Sequence, residues 1–196
     1  MLFYIICIFG GDAAIITLSL LAGKEELSSY SNTYLIVAGL LLIAACLLVD
    51  GVSAFLIRRL PEKWFTYKVN FHKVGKKECK FYEKAGIKLW KDHIIELGMF
   101  TAFSKKHVSN PDSPEYIERF ILESNYGVWI HFTGIFIGLL IIPFYPEDLL
   151  LWMSLPAAVI NGIMNLFPMM ILRYNLPRLE RMRVLAEKKA LRAQKN

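Results

Sequence analysis

The signatures of several well-known enzyme classes are missing from this sequence. It contains no Walker phosphate-binding loop, no G-x-S-x-G nucleophile elbow, no His-rich zinc pattern and no dinucleotide fingerprint. It has no Ser or Cys nucleophile with a base beside it. The three cysteines, Cys7, Cys46 and Cys79, have no metal-binding or redox spacing and indicate no disulfide framework. If the chain is an enzyme, direct transfer with a general base fits better than a covalent intermediate.

The beginning of the chain also lacks the features of a cleavable signal peptide. Its first apolar run has no positively charged n-region, contains Asp12 and is followed by no A-x-A cleavage site. We therefore expect this run to be retained as a helix.

Hydrophobic residues are abundant and clustered. They make up 55% of the chain, above the share of about 45–50% that is usual for soluble domains. They form runs close to the length of about 20 residues that a membrane-spanning helix needs. The runs cover residues 1–22, 33–57, 126–142 and 149–172. This pattern predicts an all-α integral membrane protein, with about four transmembrane helices in a single membrane domain over residues 1–196.

The positive charges are distributed unevenly along this chain, whose net charge is +6. Lys24 is the one Lys or Arg in the two short connections, whereas residues 58–125 hold fourteen and the segment after Leu172 holds eight. Positively charged loops remain on the cytoplasmic side of a membrane. We therefore predict that both termini, the central segment and the basic tail over residues 173–196 are cytoplasmic.

The central segment, residues 58–125, combines basic residues with many aromatic ones. This combination suits a surface in the lipid headgroup layer, where aromatic rings lie at the interface and Lys meets anionic lipid. Nucleic-acid binding uses the same residue types, but the adjacent membrane helices favour lipid, and we expect no nucleic-acid partner. The alternative is an interfacial segment that only holds the helices in place.

Two stretches of this segment are predicted to be helical. Residues 78–97 indicate one or two amphipathic helices interrupted near Gly86, with an apolar face made by Ile87, Trp90, Ile94 and Leu97. Ser113, Pro114 and Glu115 then provide a cap, a first-turn Pro and a first-turn acid. The helix that they begin, with Tyr116, Ile117, Phe120 and Ile121 on one side, is expected to continue into the third span.

Polar side chains inside the apolar runs are costly there and tend to mark function or a buried pairing. Asp12 lies in the middle of the first run. Asp50 precedes the basic pair at 58–59 closely enough to snorkel towards it or to pair with it. Asn161 and Asn165 are four residues apart and share a helix face, from which they either bond helices together or bind substrate.

His131 is the strongest of these candidates, because an imidazole can take a proton from a sugar hydroxyl as a general base. The alternative is a satisfied packing residue. A second histidine, His107, forms an H-x4-D pattern with Asp112 that is typical of glycerolipid acyltransferases. No phosphate-binding block accompanies this pattern, and Asn110-Pro111 inside it is also what a plain turn shows.

Three blocks follow one another between residues 90 and 179. They are W-K-D at residues 90–92, E-S at 123–124 with W-I-H at 129–131, and N-L-F-P at 165–168 with R-Y-N-L-P-R-L at 173–179. In order, spacing and membrane context they resemble the glycosyl-4,4'-diaponeurosporenoate acyltransferase family. The third block is the most specific.

The resemblance implies transfer of a fatty acyl group onto a sugar hydroxyl of a glycosylated carotenoid at the bacterial cytoplasmic membrane. It implies that His131 is the catalytic base, that Glu123 orients the base or the sugar, and that Arg173 polarises the thioester or binds a carrier phosphate. The residues that it implies for substrate binding are Tyr174, Asn175, Arg178, Trp90, Lys91, Asp92 and Asn165.

The resemblance also implies the reactants and partners. The donor would be an acyl thioester, such as acyl-CoA or acyl carrier protein, with no other cofactor and no metal. The partners would be membrane lipid and a lipid-linked sugar, and the oligomeric state stays open.

The chain departs from the family pattern at a few positions. Tyr126 and Val128 stand where the family has Arg and Glu, Leu172 and Leu176 replace Gln and Arg, and His93 replaces Lys. Loss of a charged pair beside the expected base is consistent with a different acceptor or with loss of catalysis.

A different class of function is a non-catalytic membrane adaptor. The segment 178–195, with Leu179, Met182, Leu185 and Ala186 at helical spacing, could dock a partner protein. Another small membrane transferase or reductase is a further alternative, whereas a transporter fits least, because four helices supply few polar pathway residues.

Overall fold

The computed structural model describes residues 6–94 and 108–193. Within these ranges the regular elements are helical and there is no strand, which confirms the all-α prediction. The main helices are α1 (Gly11–Leu21), which continues from a π-helical turn at Ile6–Gly10, α2 (Asn32–Arg58), α3 (Lys76–Lys84), α4 (Ile87–Trp90), α5 (Pro114–Ile137) and α6 (Leu155–Ala193). Shorter helical turns are found at Glu62–Trp64, Asn70–His72, Gly138–Phe144, Glu147–Leu149 and Leu150–Ser154.

Within the described residues, three helical stretches are long and apolar enough to cross a membrane, so the chain is a membrane protein. They are Asn32–Arg58, Pro114–Phe144 and Glu147–Ala193. The predicted first span over residues 1–22 is represented by Ile6–Leu21, which is shorter than the other three. The count of four spans, the orientation and the single domain remain predictions.

Serine caps begin two of the long helices. The hydroxyl of Ser31 accepts a hydrogen bond from the Tyr34 amide at 3.1 Å before α2, and Ser113 accepts one from the Tyr116 amide at 3.1 Å before α5. Each bond satisfies an amide that has no partner within its own helix. The predicted helix start at Ser113 and its continuation into the third apolar run are therefore confirmed.

Helix α6 is longer than the sequence suggests, because the predicted fourth span and the basic tail form one element. It continues through Pro168 and Pro177 without a break. A proline removes one backbone hydrogen bond from a helix. Here buried residues on both sides of Pro177, Leu176 and Leu179, keep the helix packed across it.

The predicted interruption near Gly86 is confirmed. Gly86 has a φ of 72°, a left-handed conformation that glycine adopts without strain, and it separates α3 from α4. On the predicted apolar face, Ile87 and Ile94 are buried. Leu97 lies outside the described residues, as does His107 of the H-x4-D pattern.

The chain divides into two compact units. The first unit comprises Met1–Leu56 and Ile130–Leu166, and the second comprises Ile57–Trp129 and Phe167–Asn196. The core of the first unit contains Ile15, Leu27, Leu35, Ala38, Leu42, Cys46, Ile141, Leu149 and Met153. The core of the second contains Ile117, Phe120, Ile121, Val128, Leu176 and Leu179.

Candidate functional site

The predicted site residues belong to both units. His131 and Asn165 lie in the first unit. The second unit contains Glu123, Arg173, Tyr174, Asn175, Arg178, Trp90, Lys91 and Asp92. Each group has its own hydrogen-bonding network.

In the first unit, the carboxylate of Asp50 on α2 accepts hydrogen bonds from two side-chain amides of α6. Nδ2 of Asn165 lies 3.1 Å from Oδ2 of Asp50, and Nδ2 of Asn161 lies 3.4 Å from Oδ1. The four-residue spacing places both asparagines on one helix face, as predicted. Asp50 therefore pairs with amides rather than with the basic residues at 58–59, because the two asparagines supply donors to both carboxylate oxygens.

His131 joins this network from α5. Its Nδ1 lies 2.9 Å from Oδ1 of Asn165. An amide oxygen only accepts hydrogen bonds, so Nδ1 carries the proton and Nε2 has a free lone pair. Among residues 6–94 and 108–193, none is hydrogen-bonded to this Nε2. We call Asp50, His131, Asn161 and Asn165 the amide cluster.

Two glycines of the α5 region make room for the amide cluster. A Cβ at Gly134 would lie 2.5 Å from Oδ1 of Asn165, and one at Gly138 would lie 3.2 Å from Nδ2 of Asn161. The carbonyl of Gly134 also accepts a hydrogen bond from Asn161 at 3.2 Å. Small residues let membrane helices approach closely enough for polar side chains to bond across them.

The other polar candidate of the first unit is Asp12 on α1. It is buried, and its Oδ1 would lie 3.7 Å from a Cβ at Gly39. Its position at membrane depth stays a prediction, and among the described residues no hydrogen bond to its side chain gives it a role.

In the second unit, Arg173 on α6 is paired with Glu78 on α3. Nε and Nη2 of Arg173 donate to the two carboxylate oxygens of Glu78, the latter at 2.9 Å, and Nη1 donates to the Phe71 carbonyl at 3.0 Å. The Tyr82 hydroxyl also donates to Glu78. We call Glu78, Tyr82 and Arg173 the ion-pair cluster. Its bidentate geometry is the strongest arrangement that an arginine makes with a carboxylate.

The electrostatics of Glu78 follow from these contacts. Burial by itself would raise the pKa of its carboxyl group, but hydrogen bonds from Arg173 and Tyr82 outweigh burial and hold that pKa below its ordinary value. Glu78 is therefore ionised at neutral pH. An anionic substrate would have to displace this carboxylate to reach Nε and Nη2 of Arg173.

Tyr174 and the W-K-D block lie near the same two helices. The Tyr174 hydroxyl donates to Glu83 of α3 at 3.2 Å, and Nζ of Lys91 lies 5.7 Å from the Tyr174 ring centroid. The indole of Trp90 donates to the Ala85 carbonyl at 3.0 Å and packs edge-on against Phe167. The second unit thus brings together the first and third sequence blocks.

Three other predicted residues differ in exposure. Asp92 and Arg178 are exposed and Asn175 is half-buried.

Glu123 belongs to a separate ladder of ion pairs in the second unit. It accepts hydrogen bonds from Arg58 and Arg119, each at 2.9 Å, and Arg119 also binds Glu62 at 2.7 Å. The side chain of Glu123 is 17% exposed. Both of its carboxylate oxygens are thus occupied by guanidinium groups, which favours a positioning role for this residue.

Sequence reasoning missed another histidine, His72, which is buried in the second unit. Its Nδ1 lies 2.9 Å from the Thr66 carbonyl, and its Nε2 accepts a hydrogen bond from the Trp129 indole at 3.0 Å. Burial lowers the pKa of His72, and the nearby Arg173 lowers it further, against the hydrogen bond to Thr66. His72 is neutral and fully bonded, so it is a structural residue.

Sequence reasoning also missed Glu78 and Glu83, and it left the partner of Asp50 open. Glu78 and Glu83 lie on the predicted amphipathic helix, where acids among many lysines look like ordinary surface residues. The signal that could have found Glu78 is Arg173 itself, because a cation close to an apolar span needs an anionic partner. Within the described ranges, no three His, Cys, Asp or Glu side chains form a group that could hold a metal ion.

The chain is similar to a known protein family. A family model described as glycosyl-4,4'-diaponeurosporenoate acyltransferase matches residues 61–185. No curated protein and no solved structure gives a significant match. The matched range contains all the predicted site residues and excludes Asp50.

Proposed function

Because this chain belongs to the glycosyl-4,4'-diaponeurosporenoate acyltransferase family, we propose that it is a membrane O-acyltransferase. It moves a fatty acyl group from a thioester to a sugar hydroxyl of a glycolipid or glycosylated isoprenoid. The family description connects the chain with carotenoid biosynthesis, and its three apolar helices make it a membrane protein.

The observation that carries the proposal is the state of His131. Its Nδ1 proton is bound to Asn165, so in the neutral imidazole Nε2 has the lone pair that a base needs. The resemblance of the block at residues 129–131 to the family implies the same role for His131.

The reaction needs one proton relay. Nε2 of His131 takes the proton of the sugar hydroxyl as its oxygen attacks the carbonyl carbon of the acyl thioester. The new C–O bond forms, the C–S bond breaks, and the departing thiolate takes the proton from the imidazolium. The products are the sugar ester, the free thiol and neutral His131.

The second unit supplies the groups proposed for substrate binding. Arg178 is the exposed cation suited to the phosphate of an acyl-CoA or acyl carrier protein. Tyr174, Asn175 and Asp92 offer hydrogen bonds to sugar hydroxyls. We assign Arg173 to holding α3 through Glu78.

We place the enzyme in the bacterial cytoplasmic membrane with both termini cytoplasmic, as the positive charges of residues 58–125 and 173–196 suggest. In this orientation the donor thioester comes from the cytoplasm. Membrane lipid and the lipid-linked sugar are the other partners.

Comparative lipid mass spectrometry tests the proposal. The host cells make glycosylated isoprenoids. Membranes are prepared from cells that express the wild-type chain, from cells without the chain and from cells that express the His131→Gln variant. We expect a lipid heavier by one fatty acyl unit with the wild-type chain, reduced about 10²–10⁴-fold by His131→Gln.

The matched control is His93→Ala, which removes an exposed histidine from the same chain. It should leave the acylated lipid unchanged. An acylated lipid that persists undiminished in His131→Gln membranes would contradict the proposal. So would a wild-type chain that produces no new lipid although acceptor and protein are both present.

A non-catalytic adaptor is the second candidate, and a groove in the second unit favours it. The groove has a volume of about 360 Å³ and is lined by Pro111, Asp112, Met182, Leu185, Ala186, Lys188, Lys189 and Arg192. Its apolar floor and basic rim suit an acidic amphipathic helix of a partner protein. Leu185, which lines the groove, is exposed.

Charge reversal separates the two candidates. Arg181→Glu with Lys188→Glu should abolish recovery of a partner from solubilised membranes if the chain is an adaptor. An enzyme that uses acyl-CoA should keep its product lipid in this variant. Loss of product that is restored by a higher concentration of acyl carrier protein would instead identify that carrier as the donor.

A further inference from the structure

We propose that Asp50 is a positioning residue for His131 and that it acts through the amide of Asn165. The inference rests on the proposed function, in which His131 is the general base. Asp50 precedes the residues matched by the family model, so the family blocks give it no role. It belongs to α2, which thereby becomes part of the catalytic apparatus.

The first step is the orientation of the Asn165 amide. An ionised carboxylate only accepts hydrogen bonds, so Asn165 must turn its NH₂ group towards Asp50. The other N–H of this group is bound to the Asn161 carbonyl at 3.1 Å. Both donors of Asn165 therefore point away from His131, and its oxygen faces the imidazole.

The second step is the tautomer of His131. The oxygen of Asn165 accepts a hydrogen bond from Nδ1, so the proton stays on Nδ1 and the lone pair stays on Nε2. If the amide were reversed, its N–H would face Nδ1 and the proton would move to Nε2. His131 could not then act as a base at Nε2. The carboxylate of Asp50 thus selects the reactive tautomer of His131 through the amide of Asn165.

The third step is how the Asp50 carboxylate is held in place. Asn161 donates to the other carboxylate oxygen and also to the Gly134 carbonyl. A carboxylate in an apolar helix is costly, and two amide donors offset part of that cost. The same charge stabilises the imidazolium that forms when His131 takes the sugar proton.

The test compares Asp50→Asn, Asp50→Glu and the wild-type protein by nitrogen NMR. The purified full chain carries ¹⁵N-labelled histidine, and His131→Gln assigns the His131 signals. We expect Nδ1–H with unprotonated Nε2 in the wild type and a shift towards Nε2–H in Asp50→Asn, whose own amide lets Asn165 reverse. Asp50→Glu keeps the carboxylate and should restore the wild-type tautomer at least in part.

Kinetics provide a second readout of the same variants. Asp50→Asn should lower kcat about 10²–10⁴-fold with little change in KM, because substrate binding does not depend on the tautomer. Ser53→Ala is the matched control: it removes a buried hydroxyl that donates to the Asp50 backbone carbonyl and leaves the carboxylate alone. This control should preserve both the tautomer and kcat.

The outcomes separate the inference from the proposed function. A wild-type His131 with its proton on Nε2, or an unchanged tautomer in Asp50→Asn, would overturn the inference. Full activity of Asp50→Asn beside an inactive His131→Gln would also overturn it, while leaving the proposed function intact. If His131→Gln remained active, the proposed function would fail, and the NMR comparison would still decide whether Asp50 orients His131.

Discussion

The two polar clusters satisfy half-buried carboxylates in opposite ways. In the amide cluster of the first unit, Asp50 is satisfied by two neutral asparagines and no cation. In the ion-pair cluster of the second unit, Glu78 is bound by Nε and Nη2 of Arg173. The amide cluster keeps the charge of Asp50 next to His131, whereas in the ion-pair cluster the charges of Glu78 and Arg173 cancel.

This difference indicates which cluster is suited to chemistry. A carboxylate that is paired with a cation holds helices together, but its electric field is largely cancelled and acts little on a reacting group. A carboxylate bound only by amides retains its field, and that field acts on the neighbouring imidazole. The predicted base, His131, therefore lies in the amide cluster, which costs more free energy to maintain. The predicted cation, Arg173, lies in the ion-pair cluster, which stabilises the fold.

The largest expected effect is on the ion-pair cluster. Arg173→Ala leaves Glu78 half-buried without its partner and should reduce the stability of the second unit by about 3–5 kcal/mol. Thermal unfolding in detergent measures this loss, with the exposed Arg181→Ala as control. Replacing Glu78 and Arg173 together by Leu should restore most of the stability. A single Arg173→Ala variant as stable as the wild type would show that the pair contributes little.

The next effect is on the amide cluster. Gly134→Ala places a methyl group 2.5 Å from Oδ1 of Asn165, and such overpacking should cost about 1–3 kcal/mol. It should also reduce acyl transfer, because Asn165 has to move away from His131. Gly51→Ala is the control, since a Cβ there meets no atom within 4 Å. Equal Tm values for the two variants would contradict the close approach of α5 and α6.

A smaller effect is expected on the stability of the second unit when the pH is lowered. The pKa of His72 is lowered in the folded state, so the unfolded chain binds more protons and stability falls as the pH drops below the unfolded-state pKa of about 6.5. The Tm should therefore be highest above that pH and decrease below it. In His72→Gln this part of the pH dependence should disappear. A Tm that rises between about pH 7 and pH 5.5 would contradict the assignment of a neutral His72.

The smallest effect should come from an exposed ion pair. Nζ of Lys189 lies 2.6 Å from Oδ1 of Asp112, and the two side chains are 66% and 68% exposed. Water and salt screen such a pair, so Lys189→Ala should change stability by less than about 1 kcal/mol. Chemical denaturation at low and high salt measures it. A larger loss would show that the groove beside Asp112 is a structural contact.

Much of the helical architecture could be predicted from local patterns. The apolar runs, the serine cap at Ser113 and the break at Gly86 depend on residues within a few positions of one another. The length of α6 could not be predicted, because Pro177 and the change from apolar to basic composition both suggest a boundary. Its continuity depends on packing by Leu176 and Leu179 against distant segments.

The candidate site divides in the same way. The sequence by itself determined that His131 and Asn165 are polar residues in apolar helices, since their composition and spacing are local. Only the tertiary structure brought Asp50 within hydrogen-bond distance of Asn165, paired Glu78 with Arg173, and gave both ring nitrogens of His72 a partner. These pairs are separated by long stretches of chain. A hydrogen bond needs two groups within about 3 Å in the right direction, and only the packing of whole helices brings these groups that close.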